Sequence, residues 1–177
     1  TLTNFEVKVQ ENDDSNNLKL APIDMKSKFQ LSLSSYTDEN TKKGDIVHTL
    51  VYNIHRLNLD NIDFYSIQRK YLLTEEDIVY YKNILIEIYK LFINNRFIQA
   101  ENTYLYEKNF YYKNKVLRAD LVIITPNENI IIDYKTGVEE DNHKTQINTY
   151  KKAYELMNKQ KTKAFLLYTE SMTLKEV

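Results

Sequence analysis

The chain contains no cysteine. That excludes disulfides, thiolate zinc sites and cysteine-ligated iron–sulfur clusters, and it agrees with a reducing, cytoplasmic setting. Glycine and proline are nearly absent as well, at two residues each in 177. The backbone meets few breakers, so long regular elements are expected. No run approaches the roughly 18–20 apolar residues that a membrane-spanning helix needs, and no signal-peptide pattern opens the chain. No membrane partner is expected. The chain starts Thr1-Leu2-Thr3 rather than with Met, which reads as a piece cut from a longer protein. An excess of one charge is missing too: the net charge is -1 and the pI about 6.3. A broad basic face of the kind that grips nucleic acid is not expected, and any such grip needs a local cluster or a neighbouring domain.

What is present suits a single globular domain with a real core: 42% hydrophobic and 28% charged residues. Residues 1–43 are the least informative, an N-terminal extension or linker. Glu11 to Asn17 is a polar loop, Phe5 to Val9 alternates like a short strand, and the polar run Ser34 to Lys43 leads into a helix. From residue 44 to 177 the texture is that of a folded domain. Gly44 to Leu57 carries helical spacing through Ile46, Val47, Leu50, Val51, Ile54 and Leu57. Thr74-Glu75-Glu76-Asp77 is a capping signal for a long helix that the Asn94-Asn95 pair stops. Ala100 to Phe110, Val116 to Thr125 and Asn129 to Thr136 are Tyr-, Val- and Ile-rich, with turns at Lys113-Asn114 and Pro126-Asn127. They predict three antiparallel strands. A helix is expected from Asn142 to Lys159, with Ile147, Tyr150, Tyr154 and Met157 on one face, and a buried strand from Ala164 to Tyr168. The expected order is α, α, β, β, β, α, β, an α/β (α+β mixed) arrangement.

The chemistry-bearing residues gather on the later elements. Ile130-Ile131-Ile132-Asp133-Tyr134-Lys135 is an apolar strand ending in Asp-x-Lys. Residues two apart on a strand project from one face about 7 Å apart, so Asp133 and Lys135 point together. A salt bridge at a strand end gives the same pattern. Asp120 interrupts the preceding apolar strand, and pairing across the Pro126-Asn127 turn brings it opposite Asp133, where side chains lie about 5 Å apart. Two such carboxylates repel, and a divalent cation between them removes the conflict; the alternative is a carboxylate paired with Arg118. Gln146 and Tyr150 share a helix face four residues apart. His48 opens the first helix four residues after Gly44, and His55 lies too far along that helix, about 10 Å, to share one metal with it.

The set Gly44-Asp45-Ile46-Val47-His48, Leu117-Arg118-Ala119-Asp120, Ile132-Asp133-Tyr134-Lys135-Thr136-Gly137 and Gln146-x-x-x-Tyr150 resembles the C-terminal nuclease domain of RecB/AddA-type helicase–nucleases. Within these, the set is most similar to the domain of UvrD/REP-like, exodeoxyribonuclease V beta-subunit-like proteins. The resemblance runs over about residues 44 to 170. Leu117 stands where that family often has Gly, and Glu101 matches a common acidic position on the strand before.

The resemblance implies a PD-(D/E)XK restriction-endonuclease-like core, a central mixed sheet flanked by helices, that hydrolyses DNA phosphodiester bonds with Mg²⁺ or Mn²⁺. It implies Asp120, Asp133, His48 and the Tyr134 carbonyl as metal ligands, with the Tyr134 side chain turned away. It also implies Lys135 positioning water and offsetting charge, with Gln146 and Tyr150 orienting these groups. Expected partners are DNA ends or single strands, a helicase motor domain in the same parent chain, and a second helicase–nuclease subunit. The chain has no Gly-x-x-x-x-Gly-Lys-[Ser/Thr] loop of its own, so ATP hydrolysis belongs elsewhere. A non-catalytic module of the same fold and a free-standing exonuclease are the alternatives, and the 15 Tyr suit either base stacking or a protein-binding surface.

Overall fold

The computed structural model describes residues 39–177; the expectations for residues 1–38, including the Phe5–Val9 strand and the Glu11–Asn17 loop, lie outside the described residues. Helix α1 spans Glu39–Val51. Two 3-10 turns follow, at Ile54–Arg56 and Leu59–Asn61, then α2 at Phe64–Tyr71 and α3 at Glu75–Asn94. Strands β1 (Thr103–Tyr112), β2 (Lys115–Ile124) and β3 (Asn129–Lys135) precede α4 (Asp141–Asn158), β4 (Thr162–Tyr168) and β5 (Thr173–Glu176). The five strands form one mixed sheet in the order β1-β2-β3-β4-β5. All neighbours are antiparallel except β3 and β4, which are parallel and joined through α4. This is the α/β (α+β mixed) class that the sequence pattern predicts, with the mixed sheet flanked by helices that the resemblance implies.

Each face of the sheet buries one apolar layer. Ile46, Val47 and Leu50 of α1 and Leu85, Ile88 and Phe92 of α3 pack on Leu121, Ile123, Ile132 and Tyr134. On the other face, Ile147, Tyr150, Ala153 and Tyr154 of α4 pack on Val122, Ile131 and Leu166. Strand β3 is covered on both sides and reads as a near-continuous apolar run. Met157, expected on the buried face of α4, is exposed instead, and Ala153 takes part in that face.

Several local signals behave as their chemistry dictates. Thr74 and Asp77 form a reciprocal capping box that opens α3, and the Asn95 side chain donates to the Leu91 carbonyl at its end. Lys113 and Asn114 both have positive φ, the geometry of a two-residue hairpin turn whose twist matches the flanking strands. Other expectations need correction. The helix carrying His48 begins at Glu39 and ends at Val51, not Leu57. Asn53 takes a left-handed conformation with φ 66 and diverts the chain into a 3-10 turn. His55 therefore lies off that helix; its ring stacks on Tyr104, with centroids 4.0 Å apart. Helix α2 and strand β5 were not expected.

Thr74→Ala removes the hydroxyl that accepts the Asp77 N–H at 3.1 Å. It should destabilise the fold by about 1 kcal/mol, read as a lower urea midpoint at unchanged m-value. No shift would mean that α3 is held by packing alone.

Candidate metal centre

The site forms where the sheet divides. Strands β2 and β3 pair from Ile124↔Asn129 to Leu121↔Ile132 and no further. Beyond that point β2 continues with β1 alone, down to Tyr112↔Lys115, while Asp133 to Lys135 pair only with β4. Asp120 sits in this fork, and continuing the register sets it across from Asp133. Its Oδ2 accepts the Tyr134 N–H at 2.8 Å, so a carboxylate stands where the ladder would have supplied a carbonyl. Backbone groups of one strand residue point to one side, and successive residues alternate. The Lys135 carbonyl accepts from Thr169 N on the β4 side, so the Tyr134 carbonyl faces the fork.

The β1–β2 arm is distorted at the same level. Glu107 has φ 49, costly for a residue other than glycine. On β1, Tyr104 and Tyr106 pack on one sheet face and Phe110 and Tyr112 on the other; on β2, Leu121 and Ile123 lie on one face and Ala119 and Leu117 on the other. The alternation thus changes parity at Glu107 and Asp120 while the register is kept. The distortion turns both acids out of strict alternation and towards α1. His48 Nδ1 lies 3.4 Å from Glu107 Oε1 and 3.7 Å from Asp120 Oδ1. Among the described residues, one ligand atom each from His48, Glu107 and Asp120 all lie within 4.8 Å of one another.

Asp133 enters from the α4 face. Its Oδ2 meets Lys135 Nζ at 2.7 Å. Lys135 Nζ also donates to Gln146 Oε1 at 2.8 Å, and Gln146 Nε2 donates to the Tyr150 hydroxyl at 2.8 Å. Asp133, Lys135, Gln146 and Tyr150 are thus one connected chain, which joins the i, i+2 pair of the strand to the i, i+4 pair of the helix. Gln146 lies at the surface rather than buried, and its two partners account for its orientation. The Tyr134 ring turns into the core, edge-on to His48 at 5.9 Å. Gly137, just after β3, has φ +94, which explains the glycine after the Asp-x-Lys strand.

Glu101, which matches an acidic position of the resembling family, lies in an exposed turn before β1; the acid that β1 supplies to this cluster is Glu107. The alternative reading of Asp120 as a partner of Arg118 is not what forms: Arg118 pairs with Glu107 at 2.9 Å. Glu107 carried no sequence signal, because its approach depends on an irregular φ within a strand. Asp120 and Asp133 are also less peripheral than their polarity suggests, at 9% and 3% exposed.

Buried carboxylates so close carry an electrostatic penalty. Burial first, and then the Asp133 charge, push the Asp120 carboxyl up to about 8. Carboxylate oxygens, a facing backbone carbonyl and one imidazole form a donor set that fits a hard divalent ion: the oxygens suit Mg²⁺, and the nitrogen suits Mn²⁺ better.

No family model matches the chain, and no curated protein matches it. A solved structure described as "Crystal structure of SSO0001" is 20% identical, over 86% of this chain and 74% of that chain, with a TM-score of 0.29. Likeness at that level assigns neither family nor activity. No helix among the described residues is long and apolar enough to cross a membrane.

The raised carboxyl sets a pH dependence. Between an ordinary 3.8 and about 8 the folded metal-free chain holds a proton on Asp120 that the unfolded chain has released, so this group lowers stability as pH rises through that window. Asp120→Asn keeps an acceptor for the Tyr134 N–H and removes the charge. In EDTA it should stabilise the fold at pH 8 by on the order of 2 kcal/mol or more, with the gain shrinking towards pH 4. A difference in unfolding midpoint that is flat with pH would remove the assigned direction.

Proposed function

We propose that this chain is a metal-dependent DNA nuclease domain of the PD-(D/E)XK class. The observation that carries the reading is the joining of Asp133-x-Lys135, at the end of a buried strand, to a second buried acid on one side and to Gln146 and Tyr150 on the other. A strand-end salt bridge needs none of those further partners.

Each residue then has a role. Asp120, Asp133, His48 and the Tyr134 carbonyl would hold Mg²⁺ or Mn²⁺; of these, His48 and Asp120 come together with Glu107 in one cluster, and Asp133 would join from the α4 face. The bound ion lowers the pKa of a water and offsets charge on the scissile phosphate. Lys135 has three N–H donors. One goes to Gln146 and one faces Asp133, which leaves the third for the attacking water or a phosphate oxygen. Its side chain is 18% exposed, enough for a substrate oxygen to reach. Held between Asp133 and Gln146, it works by positioning and charge stabilisation. Gln146 and Tyr150 fix its direction, and burial raises the Tyr150 phenol, keeping that hydroxyl neutral.

The wider context rests on the motif resemblance: the nuclease part of an ATP-dependent helicase–nuclease in DNA double-strand-break repair and recombination. The motor domain would lie in the same parent chain, with a second subunit possible, and DNA ends or single strands would be the substrate. Exonuclease action suits that context better than sequence-specific cleavage.

The test is cleavage of end-labelled single-stranded DNA by the purified chain in Mg²⁺, Mn²⁺ or EDTA. Cutting should need the metal, and Asp133→Ala or Lys135→Ala should slow it by roughly 10²–10³-fold. Calorimetry should show Mn²⁺ binding that Asp133→Ala weakens. Mn²⁺ binding without cutting would make activity depend on the motor. Undiminished cutting by Asp133→Ala, or no metal binding at all, would overturn the reading.

A further inference from the structure

Helix α1 carries more than His48. Tyr52 follows it by four residues, on the same helical side and about 6 Å along the axis, just past the Val51 end of α1. Its ring is 58% exposed and is backed by Tyr106 at 5.0 Å between centroids. Tyr106 precedes Glu107 of the metal cluster, and its hydroxyl lies 2.8 Å from His55 Nδ1. His55 in turn stacks on Tyr104. The backing is therefore a fixed row of rings, of which Tyr52 is the exposed end.

A single exposed aromatic needs no explanation. This one borders a depression of about 280 Å³ with an apolar floor including Leu50, Ile54 and Ile62 and a rim including Arg56, Asn58 and Asn61. Arg56 has no ion-pair partner among the described residues. A flat aromatic, a guanidinium and carboxamides around an apolar floor match the parts of a nucleotide: a π-face, a phosphate and base-edge hydrogen-bonding groups. Paired bases in a duplex do not offer their faces to such a ring.

We propose that Tyr52 is a stacking platform for a base of single-stranded nucleic acid next to the metal cluster, with Arg56 taking a phosphate. The platform supplies single-strand preference. This deepens the nuclease reading and rests on it. A single turn of α1 separates the stacking ring from a metal ligand, so a strand with its phosphate at the cluster reaches the platform within about one nucleotide step.

The sequence has no tryptophan, so Tyr52→Trp places a lone indole on the platform. An oligothymidylate should quench its fluorescence, whereas an abasic strand of equal length and a blunt duplex should not. By anisotropy, Tyr52→Leu should weaken oligothymidylate binding about ten-fold and Tyr52→Phe should restore it, with Mn²⁺ binding unchanged in every variant. Oligothymidylate binding without quenching, or undiminished in Tyr52→Leu, overturns the platform and leaves the nuclease reading standing. Equal quenching by the abasic strand also overturns it. Failure to bind any oligonucleotide removes the platform as well; if Mn²⁺ binding is then absent too, the nuclease reading falls with it.

Discussion

The hydrogen bond from the Tyr134 N–H to the Asp120 carboxylate is the contact on which the site depends. A strand that leaves its neighbour exposes backbone donors, and a buried donor without a partner costs free energy comparable to a lost hydrogen bond. Asp120 meets that need at the fork between β2 and β3, and the same carboxylate turns its other oxygen towards His48. One side chain thus ends the ladder, fixes the position of β3 and contributes to the cluster with His48 and Glu107. The sheet can open there because an acid replaces the missing strand.

The opening has an electrostatic cost that the rest of the site limits. Asp120 and Asp133 are both buried, and in a low-dielectric setting their repulsion is large. Lys135 offsets part of it from the α4 face, and Arg118 draws Glu107 on the other side. Burial and the Asp133 charge still raise the Asp120 carboxyl despite the Lys135 cation beside it. A stable protein core has no use for such an arrangement, since apolar residues of like volume would serve it better. That penalty supports the proposed reading of the cluster as a cation site.

Much of this was legible because regular elements carry their geometry in their spacing. Asp133 and Lys135 two apart on a strand and Gln146 and Tyr150 four apart on a helix were placed by periodicity, and Asp120 by the hairpin register, although its side chain departs from the alternation. What sequence did not give was irregular backbone. Asn53 in a left-handed conformation ends α1 early and carries His55 off the helix, and nothing in Val51-Tyr52-Asn53-Ile54 breaks the apolar pattern. Glu107 reaches the cluster through its positive φ, whereas Glu101, the acid at the position matching the resembling family, sits in a turn. Helix α2 and strand β5 were missed because eight and four residues are too few to establish a period.

The near-neutral charge also has a consistent place in this picture. A protein that grips DNA through many Lys and Arg contacts gains affinity from counterion release and loses it steeply with salt. This chain, at net charge -1, has little of that term to draw on. Under the proposed reading, substrate contact would fall to a divalent ion, to the Lys135 and Arg56 cations and to stacking on Tyr52, which is tolerant of sequence. The ion site and the stacking ring both depend on α1, which brings His48 to the fork and leads directly into the exposed ring. The same helix packs Ile46, Val47 and Leu50 into the core. The position of the metal ligand and that of the stacking ring are therefore set together by one buried apolar face, and a shift of α1 on the sheet would displace both.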